Sequence, residues 1–250
     1  MPKGAKKQIR VGIGGWTYPP WRGVFYPEDL PQRRELEYAS RQLTSIEING
    51  TYYGSQKPES FAKWHDETPD DFVFAVKGSR YTTNRRVLAE AGESIERFFA
   101  SGVLELKDKL GPVNWQFMAT KKFDAGDFAA FLKLLPKTVA GRNIRHAVEV
   151  RHESFACAEF VALARQHGIA IVMAGDSEFP MIADVTAPFV YARVMGTSEA
   201  EANGYSQNAI DKWAATANTW AAKYPVFLYV ISGYKQKNPA AATKILAALK

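Results

Sequence analysis

One cysteine in 250 residues, Cys157, leaves this chain without an internal disulfide. Oxidative export therefore has no support, and a reducing cytoplasm is the expected setting. No apolar run is long enough to span a bilayer, so no membrane partner is expected. Met1–Gln8 carries Lys3, Lys6 and Lys7 but no apolar signal core, and it reads as a flexible basic tail. There are four histidines, and the pattern His-Glu-x-x-His stays incomplete, because Ala156 stands in fifth place after His152-Glu153. A cysteine-rich zinc site is excluded. Gly12 and Gly14 begin a dinucleotide fingerprint, but Thr17 occupies the third glycine position. No phosphate-binding P-loop or Gly-x-Ser-x-Gly elbow appears, which disfavours nucleotide hydrolysis and acyl transfer by those devices.

What is present is a globular composition, 46% hydrophobic and 23% charged, sufficient for a large core. At this length one barrel domain over residues 9–250 is the common solution. The net charge is +6, and half of it comes from Lys3, Lys6 and Lys7. The remaining body is mildly basic and favours a small anionic ligand. Nucleic acid is a possible partner but not favoured, since no RNP-like, helix-turn-helix or zinc-finger pattern accompanies the charge.

Strand parity sorts the polar residues by face. In Ala147-Val148-Glu149-Val150-Arg151-His152, Glu149 and Arg151 share one face and the valines the other. The same alternation recurs in Ile46-Glu47-Ile48-Asn49, in Phe72–Lys77, in Trp115-Gln116-Phe117 and in Tyr191-Ala192-Arg193. Eight strand-like runs, near residues 9–14, 44–49, 72–77, 113–118, 146–151, 169–174, 189–194 and 226–231, are mostly separated by helical stretches. Helices are expected over 30–42, 58–65, 94–110, 124–135, 154–166, 207–223 and 239–249. Pro180 and Pro188 leave the sixth short or missing. This order predicts an α/β fold, a TIM-type (β/α)8 parallel barrel, with a doubly wound open sheet as the alternative. An open sheet would press Arg10, Glu47, Asn49, Lys77, Gln116, Glu149, Arg151, Tyr191 and Arg193 against helices. A barrel turns them inward, toward the C-terminal mouth where such folds place their chemistry.

The loops add candidates. Trp16, Tyr18 and Trp21 lie in an aromatic, proline-punctuated segment that either stacks on a substrate or plugs one end of the barrel. Arg80 belongs to a basic loop suited to phosphate or carboxylate. Asp176 follows the sixth strand.

Gly15-Trp16-Thr17-Tyr18 with Trp21 and Phe25-Tyr26-Pro27, Glu47–Tyr53, Trp64, Thr68-Pro69, Phe72–Lys77, Gly111–Phe117 and Val148–His152 resemble the YecE-like family, domain of unknown function 72. The resemblance spans nearly the whole chain and implies a TIM-type barrel without implying an activity. Its matches fall on Trp16, Tyr18, Trp21, Glu47, Asn49, Lys77, Gln116, Glu149, Arg151, His152 and Arg193. Two departures stand out: Met195-Gly196 where the family often has His-Gly, and Ile231–Tyr234 where an Asn-rich segment is common.

Glu47 and Glu149 can divide acid and base roles, or cationic neighbours can hold both ionised as a passive framework. Lys77 forms a Schiff base only where its amine is neutral. Glu47, Glu149, Asp176 and His152 are potential metal donors in no recognised spacing, and no cofactor is strongly implied. The expected function is an enzyme on a small polar anion, phosphorylated or carboxylated and sugar-like, with Glu47, Glu149 and Lys77 catalytic. Trp16, Tyr18, Trp21, Asn49, Arg80, Gln116, Arg151, His152, Asp176 and Arg193 would bind it. The alternatives are a non-catalytic small-anion binding module and a nucleic-acid-associated protein.

Overall fold

A computed structural model describes residues 9–249; the tail expected over residues 1–8 lies outside them. Branched and aromatic residues in short alternating runs build the strands β1 (Ile9–Gly14), β2 (Ser45–Ile48), β3 (Val73–Lys77), β4 (Leu110–Gln116), β5 (His146–Glu149), β6, β7 (Val190–Val194) and β8 (Val226–Val230). Strand β6 comes in two pieces, Ala170–Ile171 and Met173–Gly175. All neighbouring pairs are parallel. The first piece of β6 pairs with β5 and the second with β7, while the Val172 N–H donates to the Val148 carbonyl at 2.9 Å. The sheet therefore wraps into a nearly closed TIM-like barrel.

Among the described residues, seven helices of eight residues or more cover it: α1 (Glu35–Gln42), α2 (Pro58–Asp66), α3 (Gly92–Ala100), α4 (Ala125–Leu134), α5 (Ala158–His167), α6 (Gln207–Ala221) and α7 (Asn238–Ala248). The Asp124 carboxylate caps α4 by accepting from the Asp127 N–H at 2.8 Å, and α5 ends on Gly168 at φ 66°. No helix lies between Gly175 and Val190, where Pro180 and Pro188 remove backbone donors.

Four sequence expectations shift. The first helix starts at Glu35 after a 3-10 turn over Gln32–Arg34. The helix expected to reach Leu110 stops at Ala100, because Gly102 turns left-handed (φ 102°) where any Cβ would lie 2.6 Å from the Pro58 Cα. Strand β4 accordingly starts at Leu110, three residues early. The helix expected from residue 154 begins only after Cys157, and the Ser154 hydroxyl instead accepts from the Phe123 N–H at 2.8 Å.

Large side chains at one place demand small ones opposite. Inside the barrel Phe189, Tyr191, Phe227 and Tyr229 come from β7, β8 and the residue preceding β7, and Ala75, Ala147 and Ala170 from β3, β5 and β6 make room for them. Outward-facing Val11, Ile46, Phe74, Trp115, Val148 and Leu228 join the shell beneath the helices. This packing fills the barrel below and leaves its polar residues gathered at the C-terminal ends of the strands.

Candidate functional site

Four buried charges sit on that packed floor. Glu47 and Glu149 are fully buried, Arg193 is 2% exposed and Lys77 is 7% exposed. Arg193 spans the barrel: Nη2 donates to Glu47 Oε1 at 2.9 Å, and Nη1 donates to Glu149 Oε2 at 2.6 Å and to Gln116 Oε1 at 3.3 Å. Arg151, half-buried, donates to Glu149 Oε1 through Nη2 at 2.7 Å and Nε at 2.9 Å, and to Gln116 Oε1 at 2.9 Å. The Tyr191 hydroxyl donates to Glu47 Oε2 at 2.5 Å, and Asn114 Nδ2 to Glu149 Oε2 at 3.2 Å. Both oxygens of each carboxylate thus carry donors, as buried charges require.

The electrostatics follow. Burial alone would raise the Glu149 pKa, but Arg193, Arg151 and Lys77 outweigh it and hold the carboxyl at about 2. Burial would lower Arg193, yet Glu149 and Glu47 push it above its ordinary value. Burial and then Glu47 drive the Tyr191 hydroxyl well up, so it stays a donor. For Lys77, burial followed by Arg193 prevails over the two glutamates, bringing the ammonium down to about 8.

Above this floor opens a cavity of about 630 Å³. Trp16, Tyr53 and Trp64 supply aromatic wall; Asn49, Gln56 and Gln116 supply amides; Lys77, Arg151, Arg193 and Lys235 supply positive charge. Trp16 and Trp64 meet edge to face with centroids 5.0 Å apart. The buried Arg193 Nε and Asn49 Oδ1 find no hydrogen-bond partner among the described residues, leaving polar capacity beside the cavity.

Residues 10–250 match the family described as "Protein of unknown function DUF72". The chain belongs to DUF72. Within it, UPF0759 protein YecE of Escherichia coli strain K12 is 27% identical over 150 residues, 59% of this chain and 50% of YecE. UPF0759 protein YunF of Bacillus subtilis strain 168 is 26% identical over 114 residues, 44% of this chain and 39% of YunF. The matched stretch thus spans half or less of these curated relatives. A DUF72 crystal structure from Thermotoga maritima MSB8 superposes with a TM-score of 0.77 at 24% identity, covering 96% of this chain and 98% of that one. A D-psicose 3-epimerase shares the barrel at a TM-score of 0.53 and 13% identity, covering 96% and 95%. These likenesses establish the fold.

The DUF72 barrel gathers Glu47, Lys77, Gln116, Glu149, Arg151 and Arg193 into one constellation, with Trp16 and Asn49 on the same cavity. Others of the expected site residues lie elsewhere. Trp21 is 1% exposed in an aromatic plug with Tyr18, Phe25 and Tyr26, and its indole donates to the Lys235 carbonyl at 3.0 Å. Tyr18 lies under the Lys235 ammonium, 4.2 Å from ring centre to Nζ. Arg80 is exposed, stacked on Tyr53 and Tyr81. His152 pairs with Ser154, and Asp176 accepts from the Trp213 indole at 2.8 Å. His152 lines one neighbouring hollow and Asp176 another, and Arg151 borders both. Among the described residues no three His, Cys, Asp or Glu side chains form a metal-binding group, so the four expected donors are not assembled. No helix among the described residues is long and apolar enough to cross a membrane.

Sequence reasoning missed Asn114, Tyr53, Gln56, Trp64 and Lys235 as site residues. Asn114 shares strand parity with Gln116 and was legible by that signal; the other four lie off the strands, where no period of two fixes a side chain's direction.

Proposed function

We propose that this DUF72 chain is an enzyme on a small polar anion, a phosphorylated or carboxylated sugar-like molecule held at the C-terminal barrel mouth. The observation that carries this reading is an imbalance of charge. Three cations, Lys77, Arg151 and Arg193, meet two carboxylates that are already saturated with donors. An arriving carboxylate or phosphate finds positive charge and free donor capacity in a low-dielectric setting, where charge-assisted hydrogen bonds are strongest. The aromatic walls with amides between them suit a polyol, whose C–H faces stack while its hydroxyls pair. The barrel shared with the epimerase is consistent with such a ligand but contributes only the fold.

Saturation also bears on the glutamates. A carboxyl held at about 2 is a poor proton carrier near neutrality, so the geometry favours Glu149 as the anchor that aims Arg151 and Arg193. Glu47, clamped between Arg193 and Tyr191, serves the same framework.

The test is calorimetry and thermal shift at low ionic strength with sugar phosphates, sugar acids and their neutral parent sugars. Anionic members should bind, neutral ones at least 10-fold more weakly, and Arg151→Ala should cost the anions about 2 kcal/mol, the scale of a charged hydrogen bond. A panel in which neutral sugars bind as well as anions would defeat the reading. Tight binding of single-stranded oligonucleotide with a steep salt dependence would replace it by a nucleic-acid role.

A further inference from the structure

The charge network at the cavity floor uses every ionised group except one. Lys77 ends β3, its backbone held by register with Asn114 and by a 2.6 Å hydrogen bond from the Thr51 hydroxyl to its carbonyl. Its ammonium makes no hydrogen bond or ion pair with any described residue; its contact is the Tyr52 ring, 4.4 Å from the centroid. A lysine stem so buried normally delivers its charge to a carboxylate. Here Glu47 and Glu149 lie near enough to act on it but are occupied by Arg193, Arg151, Tyr191 and Asn114. The other amine on the cavity, Lys235, is exposed at the rim and rests over Tyr18 and Trp21. Neither cysteine nor histidine lines this cavity.

We propose that Lys77 is an imine-forming nucleophile, and that its substrate is a small carbonyl compound carrying a carboxylate or phosphate, the anion pairing with Arg151 and Arg193. This deepens the anion reading above and rests on it. In the step, the neutral Nζ lone pair attacks the carbonyl carbon and a proton passes from nitrogen to oxygen, giving a carbinolamine. The C–O bond then breaks as C=N forms, and the departing hydroxyl takes the second amine proton away as water. Nothing is oxidised or reduced, and no co-reactant is needed. The arginines serve twice, because they neutralise the substrate's anion and also make an adjacent ammonium costly. With burial they set the amine near 8 against the pull of Glu47 and Glu149, so about a tenth is unprotonated at pH 7. The face of the Tyr52 ring, which itself favours the ammonium, fixes where the amine sits.

Borohydride trapping tests this. The full chain is incubated separately with pyruvate and with dihydroxyacetone phosphate, reduced, weighed intact and mapped by peptide mass; unreduced samples are followed by thermal shift. One reduced adduct per chain on Lys77 is expected, forming faster as pH rises toward 8. Lys77→Arg should keep the thermal shift and lose the adduct. A probe that stabilises the protein yet leaves no adduct overturns the imine and leaves the anion reading standing, as does an adduct spread over Lys235 and surface lysines. No shift and no adduct with either probe counts against both. Mapping is done on the unmodified sequence, so the result does not depend on a variant folding.

Discussion

Two ends of the same barrel bury arginine in opposite ways. At the N-terminal end Arg10 donates to the carbonyls of Asp71 and Thr44, and Arg145 stands 4.9 Å over the Phe227 ring. Burial is the largest influence on both and lowers both. At the C-terminal end the same burial acts on Arg193, but two carboxylates reverse its direction. The first end accommodates charge with dipoles and rings; the second concentrates it, at a cost in stability that packing alone does not require. Strongly perturbed buried charges of this kind cluster at functional sites, and they coincide here with the site proposed above.

The comparison breaks most visibly at its charged centre. Arg193→Leu leaves Glu47 and Glu149 facing each other without their shared partner, and should destabilise the fold by about 3–5 kcal/mol in urea titrations. Removing the largest attraction on Glu149 should also let burial raise its carboxyl, so the variant should lose less stability than the wild type on acidification. A loss below about 1 kcal/mol would mean that the network is solvated and not a buried framework.

Acid exposes the next contribution. Glu149 titrates at about 2 in the folded chain against an ordinary 4.5, so between those values the unfolded chain binds a proton that the folded one refuses. Its stabilisation is complete above pH 4.5 and is lost as pH falls toward 2, amounting to about 3 kcal/mol. Glu149→Gln should be less stable than wild type at neutral pH and converge with it in acid. Parallel curves would assign the acid limb to other carboxylates.

Lys77 carries the opposite sign. Its folded value of about 8 lies below the ordinary 10.5, so the penalty on its ammonium is fully present below pH 8 and disappears as pH rises to 10.5. Lys77→Met should stabilise the chain by about 2 kcal/mol at pH 7. That advantage should shrink in alkali, and the borohydride-trapped adduct should be lost even as the protein becomes more stable. A destabilised variant would mean that the amine has a structural partner.

How much of this was legible depends on the element. Period-two alternation turned Glu47, Lys77, Gln116, Glu149, Arg151 and Arg193 inward because a strand leaves a side chain only two directions. The sixth helix's absence followed from two prolines. The helix expected over 94–110 overran, and Gly111-Pro112 just beyond it lies inside β4: a Cβ on Gly111 would lie 2.5 Å from the Phe74 carbonyl oxygen, so the glycine permits close strand approach. Trp16 and Trp21, equally aromatic and five apart in one loop, take opposite fates, cavity wall and buried plug. Nothing in a loop's sequence sets that choice, because tertiary contacts made some 200 residues away, such as the Lys235 carbonyl, decide it.

The smallest effect lies at the other end. Arg10→Met removes a cation whose acceptors are backbone carbonyls, and Phe227, its partner across the β1–β8 pair, offers apolar surface for a methionine. The carbonyls left behind keep lone pairs but no uncompensated charge, so the loss should stay near 1 kcal/mol or below, against several for Arg193→Leu. The decisive quantity is the ratio of the two, measured in one denaturant series. Equal losses would show that both ends depend on buried charge alike, and the functional asymmetry assigned to the C-terminal mouth would lose its energetic support. A large difference, with anion binding retained in Arg10→Met, locates the charged framework at the end where the cavity opens.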